Sequence, residues 1–340
     1  MIPDASRRER IEVLFDQCSD LPPERRGRFL DVAVAGDQEL KREVEALLAS
    51  AERADSSSRL ERIVAAAFDL PRTPPGKPGT GDRYELLEKL GGGGMGVVYK
   101  ARERASGRLV ALKFLAESLA EDHVIRRRFH REARAAAALQ HPNIGVIHGV
   151  EEQDGRLFLV MPFYGGGTLK QRIATGPLPV ADAVSCAIQI AEGLGLAHSW
   201  GIIHRDIKPA NLIFADDGSL KILDFGIAKV GGEKLTRTGL VLGTLSYMSP
   251  EQAMGGLVDH RTDLWALGVV FYEMLAGRPP FSAPSIEQLF RAVRAGDVPR
   301  IQDARPDVPD RVQAVISRLL QRASDDRYPD APSVASALRS

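Results

Sequence analysis

The sequence predicts an α+β protein in which a strand-rich segment precedes a helical one, with a small all-α domain in front of both. Residues 1–70 carry apolar side chains at helical spacing. Residues 71–81 contain four prolines and three glycines without periodicity, which is typical of a linker. From Asp82, short β-branched and aromatic runs separated by glycines come first, and mostly helical patterns follow Gly165. We therefore expect a second domain over residues 82–340.

The overall composition limits the classes of function. The 340 residues include 45 Lys and Arg against 45 Asp and Glu, and this balance disfavours a general nucleic-acid binder. Cys18 and Cys186 lie too far apart in the chain to suggest a metal-ligand pair or a disulfide framework, which fits a reducing compartment. No run approaches the roughly 18 apolar residues of a membrane helix. We expect a cytoplasmic protein with no membrane span and no nucleic-acid partner.

Residues 1–70 are expected to form three or four helices. Their apolar stripes, with spacings of three and four residues, are Ile11, Leu14, Phe15 and Cys18, then Leu40, Val44, Leu47 and Leu48, then Leu60, Ile63, Val64 and Ala67. Pro23 suits a helix start. This segment shows no catalytic cluster, so an autoinhibitory domain, a docking site and a dimerisation module all stay open.

The second domain is expected to begin with short strands and one long helix. In order, the expected strands and helix are Tyr84–Leu90, Gly96–Arg104, Arg108–Leu115 and the helix Asp122–Leu139, followed by strand-like pieces at Gly201–His204 and Leu220–Leu223.

A glycine-rich run between the first two strands is the first chemical signal. Residues 91–98 read Gly-Gly-Gly-Gly-Met-Gly-Val-Val, which matches G-x-G-x-x-G-x-V. Glycines let backbone amides approach phosphate oxygens without a side chain in the way. The alternative is a plain glycine-rich turn. The residues after Gly96 predict a strand and not a helix, which disfavours a dinucleotide site.

Lys113 ends the apolar segment Val110-Ala111-Leu112-Lys113 and is the second signal. A lysine there suits the α- and β-phosphates of a nucleotide, or alternatively protects the edge of a sheet. It needs a carboxylate to hold it, and Glu132 in the predicted long helix is the candidate. A solvated surface charge is the other interpretation of Glu132.

The third signal is His204-Arg205-Asp206-Ile207-Lys208-Pro209-Ala210-Asn211, followed by Asp224-Phe225-Gly226. Pro209 lacks an amide hydrogen, so this stretch is expected to be a loop. Asn211 and Asp224 are hard oxygen ligands that suit Mg²⁺ bound to phosphates. Asp206 is then left to accept a hydroxyl proton. The alternative, a polar loop without function, fits the spacing and order poorly.

These motifs, in this order, resemble those of Hanks-type Ser/Thr protein kinases of the bacterial eukaryotic-like group. The resemblance runs from Asp82 to Leu338 and extends to Ser249-Pro250-Glu251, to Asp263-Leu264-Trp265-Ala266-Leu267-Gly268 and to Arg327. It implies a bilobal fold with a β-rich N-terminal lobe and a helical C-terminal lobe. It also implies ATP-dependent phosphorylation of Ser/Thr hydroxyls on proteins, in signal transduction.

The resemblance assigns roles to the motif residues. Asp206 would be the catalytic base, and Lys208 would steady the γ-phosphate. Asn211 and Asp224 would hold Mg²⁺. The remaining ATP-binding residues implied are Leu90, Gly91, Gly93, Gly96, Val98, Ala111, Lys113 paired with Glu132, Met161 as gatekeeper, Pro162, Tyr164, Ile213 and Leu223. Most relatives carry an acidic residue where Pro162 stands, but a proline keeps the carbonyl that the adenine uses.

The resemblance also implies a substrate class and a form of regulation. Lys208 and Thr244 fit the Ser/Thr pattern better than the pattern of Tyr kinases. An arginine directly before the catalytic aspartate, as Arg205 is before Asp206, marks kinases that are activated by a phosphate on the segment between Asp224 and Glu251. This makes Thr236 and Thr238 candidate autophosphorylation sites.

Such a phosphate would pair with Arg205 and with Lys229, and self-association would allow trans-autophosphorylation. Two solvated threonines are the alternative. Ala136, which stands where relatives have a bulkier residue, predicts a loosely seated Lys113–Glu132 pair. A small-molecule kinase is the weaker alternative for the substrate, and a nucleotide-binding pseudokinase or scaffold is the alternative function.

Overall fold

A computed structural model of the chain describes residues 83–93, 96–116, 137–153, 156–225, 245–256 and 258–340, together with single positions between residues 29 and 45 and at 129 and 133. The described residues fall into two compact units, one drawn from residues 1–75 and the other from residues 76–340.

The described positions of the first unit agree with a helical stripe. Leu30, Val34, Leu40 and Val44 are all buried. Asp37 accepts a hydrogen bond from the amide of Leu40 at 3.0 Å, as a residue that caps the start of a helix does. The small all-α domain as a whole stays a prediction, as do the domain boundaries.

The second unit begins with an antiparallel sheet of five strands in the order β1-β2-β3-β5-β4. The strands are β1 Tyr84–Gly93, β2 Gly96–Glu103, β3 Leu109–Leu115, β4 Gly149–Gln153 and β5 Arg156–Pro162. The first three lie within a few residues of their predicted positions. The sequence analysis did not foresee β4 and β5.

The two faces of this sheet carry different side chains because successive strand residues point to opposite sides. On one face, Val110, Leu112 and Phe114 belong to a separate small core with Phe158 and Val160. On the other face, Ala111 lies opposite Met161 in the register, and Lys113 lies opposite Leu159. A shift of one residue would exchange these two sets, so the register fixes which face carries Lys113.

The rest of the second unit is largely helical, as predicted. The helices that lie within the described residues are α1 Leu169–Ala174, α2 Val180–Ser199, α3 Pro250–Ala253, α4 Arg261–Ala276, α5 Ile286–Ala295, α6 Ile301–Ala304, α7 Asp310–Leu319 and α8 Ala331–Arg339. Helix α4 is buried almost throughout, and α2 packs against both α4 and α8. This arrangement is the helical lobe that the resemblance implies.

Helix α2 is the one described helix whose length and mean hydropathy of 1.4 would allow it to span a membrane. The sequence analysis overlooked this property. Within its most apolar window, 44% is buried inside the domain, and a core helix meets the same criteria. The absence of a membrane span therefore stays a prediction.

Two short strands and a tight turn support the segment between α2 and α3. Strands β6 Leu212–Phe214 and β7 Leu220–Ile222 pair antiparallel, and Pro209–Asn211 form one 3₁₀ turn. The prediction of a strand at Gly201–His204 was wrong. Its backbone amides bond elsewhere: Ile202 donates to Ala197 at 2.9 Å, and His204 donates to a side chain of helix α4.

Candidate active site

The loop that contains Asp206 is attached to helix α4 through the buried carboxylate of Asp263. The Oδ2 atom of Asp263 accepts a hydrogen bond from the amide of His204 at 2.8 Å, and its Oδ1 accepts one from the amide of Arg205 at 2.7 Å. The Nε2 atom of His198, at the end of α2, lies 2.9 Å from the same Oδ2. A carboxylate that is only 1% exposed is satisfied by such hydrogen bonds, so it holds the loop firmly.

The imidazole of His204 connects this loop to the segment around Asp224. Its Nδ1 accepts a hydrogen bond from the amide of Asp206 at 3.2 Å, and its Nε2 lies 2.9 Å from the carbonyl oxygen of Leu223. These partners assign the proton of the neutral ring to Nε2, because a carbonyl can only accept. The ring also packs edge-on against Phe225, with centroids 4.8 Å apart.

Two residues of the site have a left-handed backbone. Arg205 and Asp224 each have φ near +64°, and they are the only described residues other than glycine with positive φ. This conformation is unfavourable for ordinary side chains, so the surrounding structure must stabilise it. At Arg205 the support comes from Asp263 at the amide and from Gln252 Nε2, which donates to the carbonyl at 3.2 Å.

Asp206, Lys208 and Asn211 meet at one carboxylate oxygen. The Nζ atom of Lys208 lies 2.8 Å from Asp206 Oδ2. The amide nitrogen of Asn211 donates to the same oxygen at 3.1 Å and to the backbone carbonyl of Asp206 at 2.9 Å. Because these bonds occupy the Nδ2 atom, the Oδ1 atom of Asn211 is the part of that side chain suited to a metal ion.

Lys113 and Asp224 form an ion pair between the sheet and the segment after β7. Lys113 Nζ lies 2.7 Å from Asp224 Oδ1. Glu132, the partner expected for Lys113, lies outside the described residues. The lysine assigned to the nucleotide phosphates and the acid assigned to the metal therefore share one location.

The available ligands fit a magnesium ion that also binds phosphate. One carboxylate, on Asp224, pairs with Lys113, and one amide side chain, on Asn211, bonds to Asp206. The amide of Leu223, next to Asp224, donates to the carbonyl oxygen of Asn211 at 2.8 Å, so the two segments are adjacent. No group of three or more His, Cys, Asp or Glu that could hold a metal occurs in the described part of the chain. A carboxylate and an amide oxygen are hard ligands of the kind that Mg²⁺ binds together with phosphate and water.

The glycine-rich run forms the ends of β1 and β2. Gly91 lies opposite Val98, and Val98 in turn lies opposite Lys113 on β3. Gly96 has φ of +140°, and a Cβ atom there would stand 1.8 Å from the carbonyl oxygen of Phe114. Only glycine fits this position, because a side chain would collide with β3 where strand β2 begins. Gly93 pairs with Gly96, and residues 94 and 95 lie outside the described residues.

The residues assigned to the adenine come from the five-stranded sheet, from β6 and from the segment after β7. Leu90 is 45% exposed, Ala111 and Met161 are buried, and Val98, Ile213 and Leu223 are half-buried. Pro162 ends β5, and the connection to α1 follows it.

Two hydrogen bonds fix the connection between the lobes. The Tyr164 hydroxyl accepts a hydrogen bond from the amide of Val146 at 3.2 Å, and burial raises the pKa of this hydroxyl. The next amide, of Gly165, donates to Asp216 Oδ1 at 3.2 Å. A Cβ atom on Gly165 would lie 2.6 Å from that oxygen, so a larger residue there would displace the carboxylate of Asp216. Asp216 was not predicted as part of this segment, because only the fold brings it there.

A buried ion pair supports the segment that precedes α3. Arg327 is fully buried and binds Glu251 through both Nη atoms, each at 2.8 Å. Burial alone would raise the pKa of Glu251, but the hydrogen bonds and charge of Arg327 outweigh it and hold this pKa below its usual value.

Asp263 and Arg327 belong to the kinase motifs found in the sequence, but the motifs alone assign them no structural role. A charged residue inside a long apolar run, such as Asp263 before Leu264, is the signal that would have suggested a buried anchor. Lys229, Thr236, Thr238, Thr244 and Ala136 lie outside the described residues.

Comparison with known proteins agrees with this geometry and defines the class of protein. Residues 84–338 match the protein kinase domain family, so the chain belongs to that family. The bilobal kinase fold expected from the sequence is thus confirmed.

Individual relatives narrow the class further. The serine/threonine-protein kinase PrkC of Bacillus subtilis strain 168 is 38% identical over 259 residues, which cover 76% of this chain and 40% of PrkC. PknB of Mycolicibacterium smegmatis, also named a serine/threonine-protein kinase, is 40% identical over 266 residues, which cover 76% of this chain and 42% of PknB. The crystal structure of the Mycobacterium tuberculosis PknI kinase domain is 31% identical, with a TM-score of 0.61, and the match covers 78% of this chain and 99% of that one. The chain thus spans about 40% of the length of these two curated relatives.

Proposed function

We propose that this chain transfers the γ-phosphoryl group of ATP to serine and threonine hydroxyls of proteins, with Mg²⁺ as cofactor. The observation that carries the proposal is the convergence of Asp206, Lys208 and Asn211 on one carboxylate oxygen, beside the Lys113–Asp224 pair. The two groups are connected through the backbone, because the amide of Leu223, next to Asp224, donates to the carbonyl oxygen of Asn211 at 2.8 Å. Phosphoryl transfer requires such positioning and charge stabilisation more than covalent chemistry.

Each residue has a distinct part in the reaction. Lys113 binds phosphate oxygens through its ammonium group. Asp206 orients the incoming hydroxyl and accepts its proton, and Lys208 places a positive charge where negative charge develops. Asn211 and Asp224 would hold Mg²⁺, which when bound neutralises phosphate charge. The two hydrogen bonds that the side-chain amide of Asn211 donates to Asp206 keep the metal ligand and the base at a constant separation.

Protein Ser/Thr hydroxyls are the substrate class that the relatives support, since PrkC and PknB are named serine/threonine-protein kinases. The pseudokinase alternative is not favoured, because Lys113, Asp206, Asn211 and Asp224 are present and close together.

We also propose that autophosphorylation of Thr236 and Thr238 activates the enzyme through Arg205 and Lys229. The exposed Arg205 precedes Asp206, so a phosphate bound there would act directly on the catalytic loop. Transfer between two copies of the chain would supply that phosphate. A phosphosite map of active protein that lacks phosphate at both threonines would contradict this regulation.

A cytoplasmic location is part of the proposal. Cys186 is a free, buried thiol in the described structure, which suits a reducing compartment that also contains ATP. Fractionation of cells that express the full-length gene would test this location.

The proposed activity is tested with the purified full chain, labelled ATP, Mg²⁺ and a generic basic protein substrate. We expect transfer to serine and threonine, and a loss of about 10²–10⁴-fold in kcat for Asp206→Asn because the base is removed. Asp217→Asn, the same change in an exposed turn, is the matched control and should leave the rate unchanged. Absence of transfer by the unaltered chain, together with normal nucleotide binding, would favour the pseudokinase instead.

A further inference from the structure

A groove on the helical lobe, distinct from the catalytic cleft, carries an unbalanced positive charge. It has a volume of about 580 Å³ and is lined by Glu287, Phe290, Arg291, Arg294, Ala295 and Arg322. Three arginines against one glutamate leave two net positive charges in a protein whose overall formal net charge is zero. Phe290, which packs against the main core, provides an apolar floor.

The charged side chains of the groove are exposed and available. Glu287, Arg291 and Arg294 follow one another at spacings of four and three residues, so they share one face of helix α5. All three groove arginines are exposed. In the described structure none of the three lies within 4 Å of a carboxylate, whereas Arg261, Arg305 and Arg339 all form ion pairs.

The second wall of the groove is rigid because the buried Arg327 holds its backbone. The guanidinium of Arg327 donates to the carbonyls of Gln321 at 2.8 Å and Arg322 at 3.1 Å. The two walls meet where Gly296 ends α5 with φ of +74°, and a Cβ atom there would lie 3.3 Å from the Cβ of Arg322. The groove is therefore formed before any partner binds, which lowers the entropic cost of association.

The groove is structurally connected to the catalytic loop. Helix α3 packs against α5, and Gln252 of α3 donates to the carbonyl of Arg205, next to Asp206. A polypeptide seated on α5 is therefore one short helix away from the site of phosphoryl transfer.

We propose that this groove binds an extended acidic segment of a protein substrate, separate from the serine or threonine that is phosphorylated. Arg291 and Arg294 lie one helical turn apart, with Cβ atoms about 5–6 Å from each other. In an extended strand, alternate side chains point the same way and are roughly 6.6 Å apart. Glutamates two residues apart therefore match the two arginines, and an apolar neighbour can contact Phe290. The proposal deepens the function proposed above and rests on it.

Binding is tested apart from catalysis, with the full chain and a fluorescent peptide that contains Glu-Leu-Glu-Leu-Glu and no hydroxyl residue. We expect an increase in anisotropy that weakens as salt rises, and no comparable binding by the peptide with Gln in place of Glu. Reversing both charges, in Arg291→Glu/Arg294→Glu, should weaken binding about thirtyfold or more, because both arginine contacts are lost and the new glutamates repel the acidic peptide.

Two further variants separate the charge effect from damage to the fold. Glu287→Gln removes the only acidic groove residue and should tighten binding about threefold. Arg311→Glu makes the same charge reversal at an exposed position of α7 outside the groove, and it should leave binding unchanged. Equal affinity for the Glu and Gln peptides, or an equal loss in Arg311→Glu, would overturn the proposal. So would equally tight binding of single-stranded DNA, because the groove would then attract any polyanion.

A comparison of KM for two peptide substrates gives a second test of the groove. A serine peptide carrying the acidic segment should have a KM about tenfold below that of the serine peptide alone, with kcat unchanged. The double charge reversal should abolish this difference and leave the short peptide unaffected. If neither peptide is phosphorylated, the proposed kinase activity fails, while the anisotropy measurement still decides whether the groove binds acidic segments.

Discussion

Lys113 and Asp224 form an ion pair, with Nζ 2.7 Å from Oδ1, that joins strand β3 to the segment after β7. The two residues are 111 positions apart in the chain, and the roles proposed for them differ, phosphate binding for Lys113 and metal binding for Asp224. A change at either residue therefore affects both roles. The left-handed backbone of Asp224 fixes the carboxylate in this position.

Asp224→Asn should weaken magnesium binding and slow the reaction. The amide keeps the size of the side chain but removes the negative charge that a hard cation prefers. We expect the magnesium concentration for half-maximal rate to rise and kcat to fall by about 10²–10³-fold, the usual cost of losing one major electrostatic contact. Initial rates over a magnesium titration at fixed ATP measure both quantities. A normal magnesium dependence would contradict the assignment of Asp224.

Asp263→Asn should loosen the catalytic loop without touching the reacting atoms. An asparagine offers one acceptor oxygen where the aspartate offers two, so one of the amides of His204 and Arg205 loses its partner. An unsatisfied buried donor costs about 1–3 kcal/mol. Urea unfolding should show this loss together with a lower kcat. Asp297→Asn is an exposed control in the same lobe, and equal stability of the two variants would contradict the role of Asp263.

Arg327→Met should be among the most destabilising single changes in the helical lobe. It leaves the carboxylate of Glu251 without its partner and removes donors from the carbonyls of Gln321 and Arg322. Breaking a buried ion pair on one side costs about 3–5 kcal/mol. Arg339→Met, which breaks an exposed pair with Glu192, should cost about 1 kcal/mol or less.

The same pair predicts a dependence on pH. The pKa of Glu251 in the folded protein lies below its usual value of 4.5. Its stabilisation is therefore complete above pH 4.5 and is lost as pH falls through the lower, folded-state pKa. The stability difference between the unaltered protein and Arg327→Met should shrink in that acidic range. A difference that stays constant there would contradict the pair as its source.

Glu273→Gln is expected to stabilise the protein at neutral pH. Burial raises the pKa of Glu273, and the hydrogen bond from the Tyr247 hydroxyl, at 2.7 Å, only partly offsets this. Since the folded-state pKa lies above the unfolded one, stability is lost as pH rises from 4.5 through the folded-state value. Glutamine can still accept from Tyr247 and carries no charge to desolvate. Thermal unfolding from pH 4 to 8 should show a gain that grows with pH, and a variant less stable at pH 8 would refute it.

The parts of the site that lie close together in sequence were predictable. Asp206, Lys208 and Asn211 fall within six residues, and a proline between them indicates a loop, so their proximity follows from short-range geometry. Gly96 was likewise predictable, because a glycine-rich turn between two strands permits a close backbone approach.

Contacts between distant segments could not be predicted in the same way. The β-branched residues Ile202 and Ile203 favour a strand at Gly201–His204. Local composition does not show that the amide of His204 donates its hydrogen bond to Asp263 and not to a neighbouring strand. The ion pair of Lys113 with Asp224 could not be predicted for the same reason. It depends on the register of the sheet and on the path of the chain after β7. Strand β4 was missed because Gly149–Gln153 contains only one β-branched residue.

Asp263 grips main-chain amides and not the side chains of His204 and Arg205. The hydrogen bonds that support the catalytic loop therefore do not depend on the side chain at position 205. During evolution, a lineage could replace the arginine by a small or uncharged residue that tolerates the left-handed conformation. It would lose the proposed response to phosphate while keeping the same backbone support for Asp206.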